Sequence, residues 1–222
     1  MTDITLLGLR ISVYTRIARL ALEEKGIDYE LREVDIFADA GPPADYLELN
    51  PFGTIPTLQH GDLVLYETAA ITRYLDEISP GNELQPASPI DRARMNQIIG
   101  MLDSYCYRPM IWEVYVQRVV VPTAGGEPDE ASIAAALPGL RKLLGQLEQW
   151  RGENGFLVGS TISLADLHLY PMLSYFVETQ EGVQMLESFP MLSQWLQSMR
   201  LRDSVRATPY HEKSDEQTGD PS

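Results

Sequence analysis

Cysteine is almost missing from this chain: Cys106 is the single one among 222 residues. One thiol excludes an intrachain disulfide framework and a cysteine-built zinc site, and it fits a reducing compartment. Histidine is scarce too: His60 in a turn, His168 in a helical segment and His211 in the tail do not make a metal-ligand set by themselves, which leaves only a carboxylate-assisted site open. Basic residues are outnumbered, with 17 Lys plus Arg against 32 Asp plus Glu, for a formal net charge of −15. Contact with nucleic-acid phosphates needs a basic face that releases counterions, and an anionic membrane surface asks for the same, so both partners are set aside. No apolar run reaches the roughly 18 residues of a membrane span, and the N-terminal segment lacks the marks of a secretory signal. The expectation is a soluble cytoplasmic protein.

What is present has the makings of two units. Residues 4–8 form a short apolar strand, and residues 15–25 carry Ile17, Leu20, Ala21 and Glu24 at helical spacings until Gly26 stops them. Residues 27–36 read as a second strand, which completes a βαβ unit with a right-handed crossover. Two brief strands, 57–59 and 63–66, are joined by His60-Gly61-Asp62 and must pair as an antiparallel hairpin. Glu67 then opens a helix with Ile71, Tyr74, Leu75 and Ile78 on one stripe. Beyond residue 90 no strand pattern recurs. Long periodic segments cover 90–121, 130–151, 164–179 and 190–200, and Pro109 predicts a kink or break in the first. The fold class is α/β followed by all-α. The expected divisions are 1–81 for the α/β domain, 82–89 for a linker, 90–209 for the helical domain and 210–222 for a disordered acidic tail.

Three segments of the α/β part carry candidate chemistry, and each has a plainer alternative. Ser12, in Ser12-Val13-Tyr14-Thr15, is either a helix N-cap or a donor to a thiolate. The second role would use the helix terminus and the hydroxyl to lower a thiol pKa from roughly 8.5 toward neutrality. Ile55-Pro56 is either an ordinary trans bond or a cis one that offers the Ile55 backbone to an extended peptide. Glu67 and Thr68 either cap their helix or receive the ammonium and carboxylate of an amino-acid ligand.

Taken in order, Ser12-Val13-Tyr14-Thr15, Asn50-Pro51-Phe52-Gly53-Thr54-Ile55-Pro56 and Glu67-Thr68, followed by an all-helical part, resemble the cytosolic glutathione transferases over roughly residues 4–206. The serine-type, theta- or phi-like bacterial members fit best. In the helical part Ser163-Leu164-Ala165-Asp166, preceded by Ile162, is similar to the family's capping box and hydrophobic staple. Its role is folding, and Asp166→Ala is expected to cost about 1 kcal/mol or more. The resemblance implies a thioredoxin-like first domain with glutathione as co-substrate. Ser12 would activate its thiol, Ile55 would pair with its cysteinyl backbone through a cis Pro56, and Glu67 and Thr68 would hold its γ-glutamyl end. It also implies a twofold-related homodimer, a small hydrophobic electrophile as second substrate, and a role in detoxification.

The departures from the family pattern matter as well. Gly41 and Pro42 stand where many serine-type relatives place a basic partner for the glycine carboxylate, and Thr54 stands where Gln or Lys is common. Arg10 or Arg16 would have to compensate. Met101, Tyr105, Met110, Trp112 and Tyr115 read either as core and dimer packing or as a wall of the second-substrate pocket, with Tyr105, Met110 and Trp112 as its candidates. Cys106 reads as a buried small hydrophobe rather than a reactive thiol. The alternative to an enzyme is a non-catalytic glutathione-transferase-like protein that acts through protein-protein binding.

Overall fold

A computed structural model describes residues 3–151 and 153–210. Four strands, β1 (Ile4–Leu7), β2 (Glu30–Arg32), β3 (Thr57–His60) and β4 (Leu63–Leu65), form one sheet in the order β2-β1-β3-β4. β1 and β2 run parallel across α1 (Val13–Lys25), as the βαβ pattern requires. β3 is antiparallel to both β1 and β4. Gly61, at φ +57°, supplies the backbone conformation that the two-residue turn between His60 and Leu63 needs. β2 is far shorter than the expected strand over 27–36, because β1 offers it only Thr5, Leu6 and Leu7 as partners.

The two-residue period of β1 divides its side chains between the faces of the sheet. Leu6 enters the main core with Ile17 and Leu20 of α1 and with Ile71 and Leu75 of α3 (Thr68–Ile78). Leu7 turns the other way, into a smaller cluster with Val34, Ile55 and Tyr46, the last supplied by α2 (Ala44–Leu49).

The helical part begins with α4 (Pro89–Met101), capped by Ser88, whose side chain accepts from the Asp91 N–H. The helix does not break at Pro109. It continues through Leu102–Cys106 and Arg108–Val120 in wide π-type turns, where Tyr107 N–H reaches the Leu102 carbonyl and Val121 N–H the Val116 carbonyl. Pro109 lies at the start of the second wide segment, where the regular 3.6-residue winding is already given up. α5 (Val121–Thr123), α6 (Glu130–Arg151), α7 (Leu164–Phe176), α8 (Gln180–Leu186), α9 (Pro190–Arg200) and α10 (Asp203–Ala207) complete the described residues. α2, α8 and α10 are too short to show a periodic stripe and were not expected from the pattern. Among the described residues no helix is long and apolar enough to cross a membrane. The tail expected to be disordered lies, beyond Tyr210, outside the described residues.

The segment 82–89 is packed rather than slack. Leu84 is fully buried, and the N–H groups of Leu84 and Gln85 donate to the Asp76 carboxylate at 2.9 and 3.1 Å. The Leu84 carbonyl accepts from Leu164 N–H at the start of α7. Asp76 also receives Lys25 Nζ of α1 at 2.9 Å, so one buried ion pair ties α1, α3 and the connecting segment together. The apolar core runs without interruption from Leu6 to Trp195.

α7 is buried along its whole length, and its start is fixed by Asp166. The Ser163 N–H and hydroxyl donate to Asp166 Oδ2 at 2.9 and 2.7 Å. Oδ1 receives the Leu157 N–H at 2.9 Å and the Trp195 indole N–H at 2.8 Å. The capping box is thus present and extends to α9. Burial raises the Asp166 pKa while these donors pull against it. Farther along, fully buried His168 meets Thr72 Oγ1 of α3 at 3.3 Å, and burial, aided by Arg73, pushes its pKa down to about 3.

Two measurements check these buried groups. Asp166→Asn keeps the shape but cannot accept all the donors, so denaturant unfolding should show a loss of about 2–4 kcal/mol, and a loss below about 1 would contradict the network. His168 is held neutral in the fold and titrates near its usual value when unfolded, so stability falls as pH drops below that value. The wild type should lose about 2 kcal/mol more than His168→Gln between about pH 7.5 and pH 5. Parallel pH profiles for the two proteins would contradict this.

Candidate active site

The start of α1 lies against the end of β1 because residue 8 is glycine. A Cβ there would sit 2.4 Å from Thr15 Oγ1. Ser12 caps the helix, its Oγ accepting from Thr15 N–H at 3.3 Å. That bond uses a lone pair and leaves the hydroxyl hydrogen free, so capping and donation to a ligand are compatible. Ser12 is half-buried and opens onto a cavity of about 390 Å³ between the sheet and the wide-turned helix.

Ile55, Pro56, Glu67 and Thr68 line the same cavity as Ser12. The Ile55-Pro56 bond is cis. The Ile55 side chain is anchored beside Leu7 and Tyr46, while its backbone N–H and C=O have no partner among the described residues. Asn50 and Tyr46 hold the preceding turn by donating to the Thr54 carbonyl. Glu67 adopts φ +69°, a conformation that costs an L-residue about 1–3 kcal/mol and clusters at functional sites. Its carbonyl accepts from Ala70 and Ile71 N–H, and the Thr68 and Ala69 N–H groups at the start of α3 have no acceptor among the described residues. The cavity thus joins two helix N-termini and an unpaired stretch of backbone, a combination that suits an anionic, amino-acid-like ligand.

The opposite wall corrects part of the expected second-substrate set. Trp112 lines the cavity, but Met110 is fully buried in the core and Tyr105 is 66% exposed outside it. The helix widens to π turns here, so residue spacing no longer follows a 3.6-residue stripe. Tyr107 takes their place, accepting from the Trp112 indole N–H at 3.1 Å and packing on Tyr14 at 4.5 Å between ring centroids. Phe37, half-exposed on the loop after β2, faces Trp112 across the opening at 6.0 Å. An apolar exposed loop residue was the available sign of Phe37, whereas nothing in the pattern pointed to Tyr107.

Burial raises the Tyr14 phenol, so it stays protonated, and its hydroxyl hydrogen is already given to Asp103 Oδ1 at 3.2 Å rather than to a ligand. Asp103 also lines the cavity; its pKa is raised by partial burial and by the charge of Glu67, against the Tyr14 hydrogen bond. No basic side chain lines this cavity among the described residues. Gly41 and Pro42 border a separate groove of about 720 Å³. Arg16 is buried, bonded to the Thr208 carbonyl and Ser174 Oγ, and Arg10 makes an exposed pair with Glu33; neither lines the cavity.

Among the described residues no cluster of His, Cys, Asp and Glu is arranged to hold a metal. His60 meets the Tyr74 hydroxyl through Nδ1 at 2.7 Å, and His211 lies outside the described residues.

The family model for the glutathione S-transferase N-terminal domain matches residues 11–78, and that for the glutathione S-transferase C-terminal domain matches residues 95–203. The chain is 35% identical to glutathione S-transferase F13 of Arabidopsis thaliana, covering 72% of this chain and 74% of the relative. It is 31% identical to glutathione S-transferase 3 of Zea mays, covering 94% of each. Among solved structures, the theta class glutathione S-transferase of Xanthomonas axonopodis pv. citri with glutathione bound superposes with a TM-score of 0.79 at 30% identity, covering 94% of this chain and 97% of that one.

Cys106 is fully buried against Met110 Sδ, and burial pushes its thiol up to about 12. A soluble disulfide reagent should therefore leave the native protein unlabelled and label it stoichiometrically once unfolded. Rapid labelling of the native protein would place a reactive thiolate here after all.

Proposed function

This chain belongs to the glutathione S-transferase family and is a glutathione S-transferase, and from that premise we propose how its cavity works. Glutathione is the co-substrate. Its thiolate accepts a hydrogen bond from the Ser12 hydroxyl at the positive end of α1, in the manner of the serine-type, theta- or phi-like members. The observation that carries this reading is that the Ser12 oxygen is already committed to Thr15 N–H while its hydrogen is free beside the cavity.

The free N–H and C=O of Ile55 pair with the cysteinyl backbone, as a sheet edge pairs with a strand. Glu67 receives the γ-glutamyl ammonium, and Thr68 with the free N–H groups of α3 receives its carboxylate. Residues 1–81 act as the glutathione-binding domain, 82–89 as the linker and 90–209 as the helical domain. Two chains pair about a twofold axis, and the protein works in the cytoplasm.

The electrophile is small and apolar and rests on Tyr107, Trp112 and Phe37. The glutathione sulfur forms the new bond to its reactive carbon, the leaving group departs with the bonding electrons, and the thiol proton passes to solvent. Because Ser12 only donates, it forms no covalent intermediate. The lack of a cation for the glycine carboxylate forfeits a charge-assisted hydrogen bond of about 1.5–3 kcal/mol, so glutathione is held less tightly than in members that have one. The relatives' names support catalysis over a purely protein-binding role.

Ser12→Ala should lower kcat/KM about 10- to 100-fold and raise the apparent thiol pKa by about one to two units, with little change in KM for glutathione. The pH profile of conjugation with an apolar aryl halide measures both. An unchanged profile would remove the role given to Ser12.

A further inference from the structure

Ser12 is only as well aimed as the peptide that precedes it. The Ile11–Ser12 peptide lies in a turn at the surface, where the Ile11 side chain is 57% exposed and Arg10 makes only a solvent-facing pair with Glu33. Yet that peptide is gripped at both ends. The Ser12 N–H donates to the Leu9 carbonyl at 3.0 Å, within the turn. The Ile11 carbonyl accepts from the Tyr175 hydroxyl at 2.6 Å, from a residue of α7 that stands 164 positions along the chain.

Tyr175 is itself immobilised. It is 3% exposed, its ring meets Tyr115 edge-on at 4.8 Å, and Tyr210 lies across it at 4.3 Å. The charged and titratable groups around it are Arg16 of α1, Tyr115 of the wide-turned helix, and Glu178 and Tyr210 of the C-terminal part. Burial raises its phenol, so the hydroxyl remains a donor throughout the working pH range.

We propose that Tyr175 is a positioning residue for the reaction: by holding the Ile11 carbonyl, its hydroxyl fixes the direction of the Ser12 side chain toward the glutathione sulfur. A peptide plane fixed at both its N–H and its C=O cannot rotate, so Ser12 enters α1 in one orientation. The helical domain thereby contributes to thiol activation without touching glutathione. This inference rests on the donor role given to Ser12.

The test is a double-mutant cycle on the intact protein, read as pH profiles of kcat/KM together with KM for glutathione. Tyr175→Phe keeps the ring and removes the hydroxyl. It should lower kcat/KM about fivefold and raise the apparent thiol pKa by about half a unit, with KM for glutathione within about twofold of wild type. In the Ser12→Ala background the same change should alter neither rate nor pKa. Tyr74→Phe, which removes a part-buried hydroxyl bonded to His60 rather than to Ile11 or α1, should leave the thiol pKa unmoved.

An unmoved pKa in Tyr175→Phe, an equal shift in the Ser12→Ala background, or the same shift from Tyr74→Phe would each overturn the proposal while leaving the Ser12 reading intact. If Ser12→Ala alone fails to move the pKa, the reading beneath it falls, and this proposal with it.

Discussion

Arg16, Arg19 and Lys25 of α1 are all buried, and they find their partners in segments far along the chain. Arg16 donates to the Thr208 carbonyl and stacks on Tyr170 and Tyr210; Arg19 donates to the carbonyls of Ala207 and Pro209; Lys25 meets Asp76 and the Gly81 carbonyl. A buried cation is tolerated only when it is paired or richly hydrogen-bonded, so these contacts cannot be loosened one at a time. They lock α1 between the sheet and the helical part. Its N-terminus, where Ser12 sits, is therefore presented by a body rather than by a loop.

α7 extends that grip to both helices that open onto the cavity. Its Tyr175 reaches the turn before α1, and its His168 reaches Thr72 of α3, the helix whose free N–H groups follow Glu67. α7 in turn is fixed at its own start by Asp166, whose donors come from the segment before it and from α9. The capping box is usually described as a local folding signal. Here it also sets the rotation of the helix that meets the turn before α1 and the side of α3.

Much of this was legible in the sequence. The βαβ unit, the hairpin and the all-helical remainder follow from periodicity and from Gly26 and Gly61, and the motifs around Ser12, Ile55 and Glu67 fall on one cavity. What was not legible depended on backbone geometry. Tyr105 and Met110 were candidates by residue type alone, and composition does not say which side of a π-turned helix meets the cavity; there Tyr107 does. The positive φ of Glu67 leaves no compositional trace. Arg16 looked available because a charged residue near a binding segment suggests a ligand contact, but tertiary packing had already used it. The net charge of −15 argued against partners that need a basic face, and among the described residues the cavity itself is lined by helix N-termini and no basic side chain.

The central claim is that a preorganised helix terminus and a free serine hydrogen lower the pKa of a bound thiol. The most direct measurement is difference spectroscopy of the thiolate absorbance of glutathione mixed with the native protein across pH. The account predicts that the bound thiol titrates at least about one unit below the roughly 8.5 of a free thiol. A bound thiol that titrates where free glutathione does would contradict it.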